Sequence, residues 1–305
     1  MREFSIELTQ RIKIPVNQTV MGVTKLRNEI YILCQSTTFP HTIIRVFLDQ
    51  TPFSLHMEIE INQITSPFDI GSCEKEYCLY ICDSVGKFVW KITRDADHQH
   101  KVTKWLTTYY EPRTLSVSCD GQLLMINDSS PSLMTYGSDA ELIRSVPLPI
   151  EIKNPQHAVK TSIGNIIIIH SGDEDKAQKK EENEDDDERT IGGRRVVKKF
   201  VLSELTSDGQ MVIRRFIPSD ETQKLYEPCY LSLDSDDRVF LADRGNDRVI
   251  LLDFNLKWNR ILCTTREGKD NIWLPYRLCY DEEMKLLIVI GETATGINVY
   301  TLSRI

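Results

Sequence analysis

The stretch PCYLSLDSDDRVFLADRGNDRVILLDFNLKWNRIL, residues 228–262, decides the fold. A proline opens a short apolar run, YLSL. The polar turn DSDDR follows, then VFLAD, then the tight polar RGND, then RVILLDF, and finally WNRIL. Each apolar run is four to six residues long and rich in Val, Ile, Leu and Tyr. Runs that short, bounded by turn residues, form strands rather than helices. Four strands therefore fit within one unit.

The unit recurs. SPFDIGS at Pro67, EPRTLSVS at Pro112, NPQHAVKT at Pro155, EPCYLSLD at Pro228 and LPYRLCYD at Pro275 open five units. TVMGVTKLRNEIYILC keeps the same shape ahead of them without the proline. Spacings of 45, 43, 73 and 47 residues match the period of propeller blades, once an insertion of about 28 residues around an acidic block is removed from the third. Six units of four strands predict an all-β, six-bladed β-propeller over residues 1–305. The last unit holds only three strands before Ile305. The alternating FSIELTQRIKI near the start is expected to supply the fourth and close the ring, which removes an exposed sheet edge.

Composition agrees with a packed domain. Of 305 residues, 41% are hydrophobic and 27% charged, and 37 Lys+Arg stand against 45 Asp+Glu for a net charge of −8. These values exclude wholesale disorder. No run of about 18 apolar residues offers a membrane span. MREFSIELTQRIKIP lacks an apolar leader, so a cytoplasmic protein with buried free thiols at its eight cysteines is expected. The C-x4-C-x3-C spacing of Cys73, Cys78 and Cys82 is a poor zinc pattern. DEDKAQKKEENEDDDE, residues 173–188, carries ten acidic and three basic residues and leaves the rest of the chain at −1. Residues 173–193 are expected to be a disordered acidic insertion within the fourth blade, beside Arg194, Arg195, Lys198 and Lys199.

In the fifth unit Pro228, Asp243, Gly245, Asn246, Arg248, Val249 and Asp253 resemble the NHL repeat, the blade motif of a propeller family found alone or at the C-terminus of tripartite-motif proteins. The second unit keeps Asp83 and Val89, and the third keeps Asp128. The first and fourth depart from the motif, with Cys34 and His170 near the Asp slot, and the sixth has Gly291 and Glu292. The LPYRLCYDEE…LLIVIGE ending is similar to that of NHL-like invertebrate propellers. The resemblance implies a six-bladed ring that selects protein partners, in some relatives as substrates for ubiquitin ligation. It also implies a competing role in binding single-stranded RNA. From the residues themselves, Asp243 is expected to accept turn N–H groups, Gly245 and Asn246 to take positive φ, and Arg248 to grip a carboxylate.

Signatures of catalysis are scarce. No HExxH, GxSxG, Walker loop or GxGxxG occurs. His157 and Asp69 sit on innermost strands, and a metal-dependent, lactonase-like hydrolase is a further alternative, although a calcium site there would need more carboxylates. The expected protein is a non-enzymatic interaction platform without cofactor or metal, binding a protein partner on the face that carries the blade connections. Single-stranded RNA is the alternative partner, and neither DNA nor membrane is expected. Arg244, Asn246, Asp247, Arg194, Arg195, Lys198 and Lys199 are the candidate partner-binding residues.

Overall fold

The structure is a computed structural model that describes residues 4–48, 52–94, 99–127, 129–172, 200–264, 274–291 and 296–304. Strand β1 (Phe4–Lys13) precedes the first blade, β2 (Gln18–Leu26), β3 (Glu29–Ser36), β4 (Thr42–Leu48) and β5 (Leu55–Ile61). The second blade is β6 (Pro67–Cys73), β7 (Cys78–Asp83), β8 (Phe88–Arg94) and β9 (His100–Thr107). The third is β10 (Leu115–Val117), β11 (Leu123–Asn127), β12 (Ser132–Tyr136) and β13 (Leu142–Pro147). The fourth is β14 (Lys153–Lys160), β15 (Ile166–Ser171), β16 (Phe200–Leu205) and β17 (Val212–Arg215). The fifth is β18 (Pro228–Leu233), β19 (Val239–Asp243), β20 (Arg248–Leu252) and β21 (Trp258–Thr264). The sixth is β22 (Pro275–Asp281), β23 (Leu286–Gly291) and β24 (Gly296–Arg304). Each blade is a four-stranded antiparallel sheet in chain order, and the sixth is completed by β1 outside β24. Each innermost strand packs on the next, and β22 packs on β2, so the ring closes.

Six apolar clusters hold the ring, one between each pair of neighbouring blades. Ile32, Cys34 and Phe47 of the first blade meet Ile288, Ile290 and Val299 of the sixth. Second strands such as CLYICD, LLMIN and IIIIHS lie between two strands of their own sheet and between two blades. All their residues are buried, which explains their unbroken apolar runs. The outermost strand β13 shows mostly exposed residues. Five of the eight free cysteines are buried. Cys229 and Cys279 are half-buried, and Cys119 is exposed in the first turn of the third blade, where the expected burial fails because a two-strand turn must face water. Among the described residues, no helix is long and apolar enough to cross a membrane.

Antiparallel order sorts the connections onto two faces. The blade-to-blade connectors and the links between second and third strands share one face, here the loop face. The other two turns of each blade share the opposite turn face. β15 ends and β16 begins on the loop face. The acidic insertion, with Arg194, Arg195, Lys198 and Lys199, lies outside the described residues.

Closure rests on more than backbone pairing. β1 pairs with β24 from Phe4 opposite Arg304 to Lys13 opposite Gly296. Ile12 is buried in the cluster between the sixth and first blades, and Gln10 reaches the first blade, donating to Phe53 O at 2.9 Å and accepting from Phe53 N at 2.6 Å. Deleting residues 1–14 strips a strand from one blade and a latch from the next. The expected cost is several kcal/mol, seen as a fall in Tm of about 10 °C or more; a melt that barely moves would show that the ring does not depend on this strand.

Candidate functional site

The first strand of each blade is hydrogen-bonded on one side only, so six inner edges present N–H and C=O groups to the axis. Side chains of neighbouring blades satisfy many of them. Asp69 of the second blade accepts from its neighbour Ile70 N at 3.0 Å and from Leu115 N of the third at 3.2 Å. His157 of the fourth accepts from Leu231 N of the fifth at 3.2 Å through Nδ1. Arg277 of the sixth donates to Phe68 O at 2.9 Å and to Tyr276 O at 3.0 Å, with its Nε 3.3 Å from Asp69 Oδ1. Tyr230 of the fifth donates to the same Asp69 oxygen at 3.3 Å and stacks on His157 with ring centres 4.0 Å apart. The first blade contributes Gly22, where a Cβ would lie 2.9 Å from Ile70 and 3.2 Å from Asp69. All six blades thus meet in one buried polar cluster.

Burial controls its protonation. Asp69 is fully buried and its carboxyl is pushed up to about 6, with Arg277 holding back part of the rise. His157 is held down to about 3 by burial and then by the Arg277 charge, so it is neutral at pH 7. Because Nδ1 accepts a hydrogen bond, Nε2 carries the proton. Nε2 has no partner at hydrogen-bond geometry, although the Leu115 backbone lies beside it.

Toward the turn face the axis widens into a cavity of about 300 Å³. His157 and Tyr230 form part of its wall with Thr24, Ser72, Ser116 and Ser232. Its rim is stitched by carboxylates that cross blade junctions. Lys25 meets Asp281 at 2.6 Å, Lys160 meets Asp120 at 2.9 Å, Arg27 N meets Glu74 at 2.7 Å, Ser162 N meets Asp237 at 2.8 Å, and Ser235 N meets Glu282 at 3.1 Å. Asp234 and Asp281 also cap their own turns, as their place at strand ends predicts.

Of the sequence-predicted partner residues, Arg244, Asn246 and Asp247 lie elsewhere, on the loop face, and Arg194, Arg195, Lys198 and Lys199 lie outside the described residues. Arg244 pairs with Glu227 at 2.5 Å, and Asn246 donates to Lys224 O at 2.9 Å and to Asp243 at 2.8 Å. Asp247 accepts from Leu274 N at 2.8 Å. These contacts tie the turn to the connectors on both sides, a role that the pattern of the turn did not reveal. Asp243 is filled by Tyr226 N, Asn246 and Arg248 rather than by its own turn's N–H groups. Arg248 gives Asp243 only Nε, at 2.6 Å, and spends its other nitrogens on Thr222 O and Lys224 O. The positive φ falls on Asp247, at 51°, instead of Gly245 or Asn246. Gly245 is needed for space, because a Cβ there would lie 2.1 Å from the Tyr226 ring. The third blade's strand ends at Asn127, one residue before the expected Asp128, which lies outside the described residues, as does Glu292. His170, near the Asp slot of the fourth blade, is buried, with Ser171 O and Ser203 Oγ each 2.8 Å from a ring nitrogen.

Arg277 was missed by sequence reading. Its signal was a lone charge inside the apolar run PYRLCYD, which the structure places on the axis. Among the described residues, no three His, Cys, Asp or Glu side chains gather as metal ligands. The one carboxylate in the buried axial cluster, Asp69, faces Arg277 instead.

No family model and no curated protein matches the chain. Solved structures do match it over nearly its whole length. Virginiamycin B lyase from Staphylococcus aureus is 10% identical with a TM-score of 0.60, covering 98% of this chain and 99% of that one. Hydrazine synthase from Kuenenia stuttgartiensis is 14% identical with a TM-score of 0.61, covering 96% and 97%. A chain of a nidogen/laminin complex is 13% identical with a TM-score of 0.54, covering 86% and 93%. The shared property is the fold. This chain is a six-bladed propeller. The expectation that it is not an enzyme is therefore corrected. It rested on missing catalytic motifs, yet this same ring serves enzymes, and a site assembled from six blades leaves no compact motif in the chain.

The two shifted axial groups make opposite contributions to stability. A carboxyl with a raised native pKa takes up its proton first in the native state, so the Asp69 contribution grows as pH falls from about 6 to about 4. A histidine with a lowered native pKa charges first in the unfolded state, so the His157 contribution is full above about 6.5 and is lost as pH falls toward 3. Between pH 6 and 4 they nearly cancel. Relative to the unaltered chain, His157→Gln should gain about 1.4 kcal/mol per pH unit on acidification in this window, and Asp69→Asn should lose about as much. Urea denaturation at pH 6 and pH 5 reads both slopes; slopes of equal sign would refute the assignment.

Proposed function

We propose that the propeller is a protein-interaction platform whose partner docks on the loop face. One observation carries this reading. Seven large apolar side chains are at least 70% exposed among the described residues, and six of them, Val16, Phe39, Val85, Tyr109, Ile150 and Ile217, lie on connectors or links of the loop face. Single exposed apolar residues are ordinary, but their concentration on one rigid face favours a partner that buries them. The surrounding charges favour protein over nucleic acid. Arg215 is paired with Glu151, Arg113 with Glu111, Lys224 with Glu221 and Arg244 with Glu227, which among the described residues leaves little clustered positive charge for phosphates. The NHL-like fifth blade makes substrates of ubiquitin ligation the first class of partner to look for. Docking on this face is compatible with chemistry elsewhere on the ring.

The test is recovery of the tagged protein from a lysate of its source cells after ultraviolet crosslinking, with bound protein and bound RNA scored together. Ile150→Asp with Ile217→Asp should reduce recovery of a specific partner protein by about tenfold or more. Ile163→Asp, on the turn face, should leave it unchanged. RNA lost in the double variant, with no protein partner affected, would move the assignment to RNA.

A further inference from the structure

The axial cavity lies on the face away from the proposed docking surface, and the docking reading does not use it. We propose that it is a binding site for a small, neutral, polyhydroxylated molecule of about monosaccharide size.

Two observations lead there. The first is shape. About 300 Å³ sits at the lower end of pockets that hold small ligands, roughly 300–1,000 Å³. The second is the character of the wall. Hydroxyl-bearing residues of five blades line it: Thr24, Ser72, Ser116, Tyr230, Ser232 and Tyr280. Several of these have already committed a proton and keep acceptor capacity: Thr24 donates to Ser72 at 2.9 Å, Ser72 to Lys25 O at 2.5 Å, and Ser116 to Ala158 O at 2.7 Å. Ser232 accepts from Tyr280 N at 3.3 Å and keeps its proton to give. Such a wall mixes donors and acceptors at short spacing, which suits a molecule that offers both from each hydroxyl.

Charge argues for a neutral ligand. Lys25 and Lys160 stand in the first and fourth blades, across the ring from each other, and each is already met by a carboxylate, Asp281 or Asp120. An anion would have to compete with both. The wall's hydroxyls and strand-edge backbone equally disfavour an apolar ligand.

Titration of the whole chain with D-glucose, D-galactose and myo-inositol, followed by calorimetry and saturation-transfer NMR, tests the site. At least one should bind saturably at one site with a Kd of about 1 mM or tighter. Ser116→Val and Ser232→Val should each weaken that binding by about tenfold; the alanine variants replace them where a valine variant fails to fold. Ile150→Asp with Ile217→Asp should leave it intact, which separates this site from the loop face. The inference is overturned if none of the three probes binds saturably, if the cavity variants bind as the parent does, or if inorganic phosphate binds more tightly than all three.

Discussion

Every blade of a propeller has an inner edge that no further strand can pair, and the rest of this structure depends on how those six edges are satisfied. An orphaned buried N–H or C=O costs as much as a lost hydrogen bond. Here the missing partners come from side chains of the next blade or of one across the axis. Asp69 serves the third blade, His157 the fifth, Ser116 the fourth through Ala158 O, and Arg277 the second through Phe68 O. Ring closure and edge satisfaction are therefore one problem. A blade displaced at the axis breaks hydrogen bonds in its neighbours as well as its own apolar packing.

The same arrangement gives the two faces different characters. On the loop face, the connectors between blades and the links within them carry exposed apolar side chains. On the turn face, carboxylates cross five blade junctions and surround a hydroxylated cavity. The turn at Asp243–Arg248 belongs to the first of these faces, but its polar groups are spent on holding the connectors at Tyr226, Lys224 and Leu274. Its residues act as a joint between blades, and the apolar side chains nearby are the ones left available to a partner. Whole-length similarity to enzymes of the same fold means that the ring sets no limit on chemistry; that is decided by what a given chain places at its axis and on its faces.

The strands were legible in the sequence for a physical reason. Second strands lie between two sheet neighbours and two blades, so they appear as unbroken apolar runs, and the prolines recur because the first strand of a blade has a free inner edge where a missing N–H costs no ladder bond. The absent fourth strand of the last blade and the alternating N-terminal segment pointed to each other, and β1 does pair with β24. The axial site was legible only in fragments. His157 and Asp69 could be placed on innermost strands, yet they are 88 positions apart in the chain, and Arg277 read simply as a charge within an apolar run.

Local chemistry alone thus determined the element type, the repeat, the number of blades and the manner of closure, because each follows from the alternation and spacing of residues within about 45 positions. Only the tertiary structure decided which polar residues meet. Asp69, His157, Tyr230 and Arg277 come from four blades and share one buried cluster because the ring brings their strands to a common axis. Their shifted protonation and the cavity beside them exist only once six separate edges face each other.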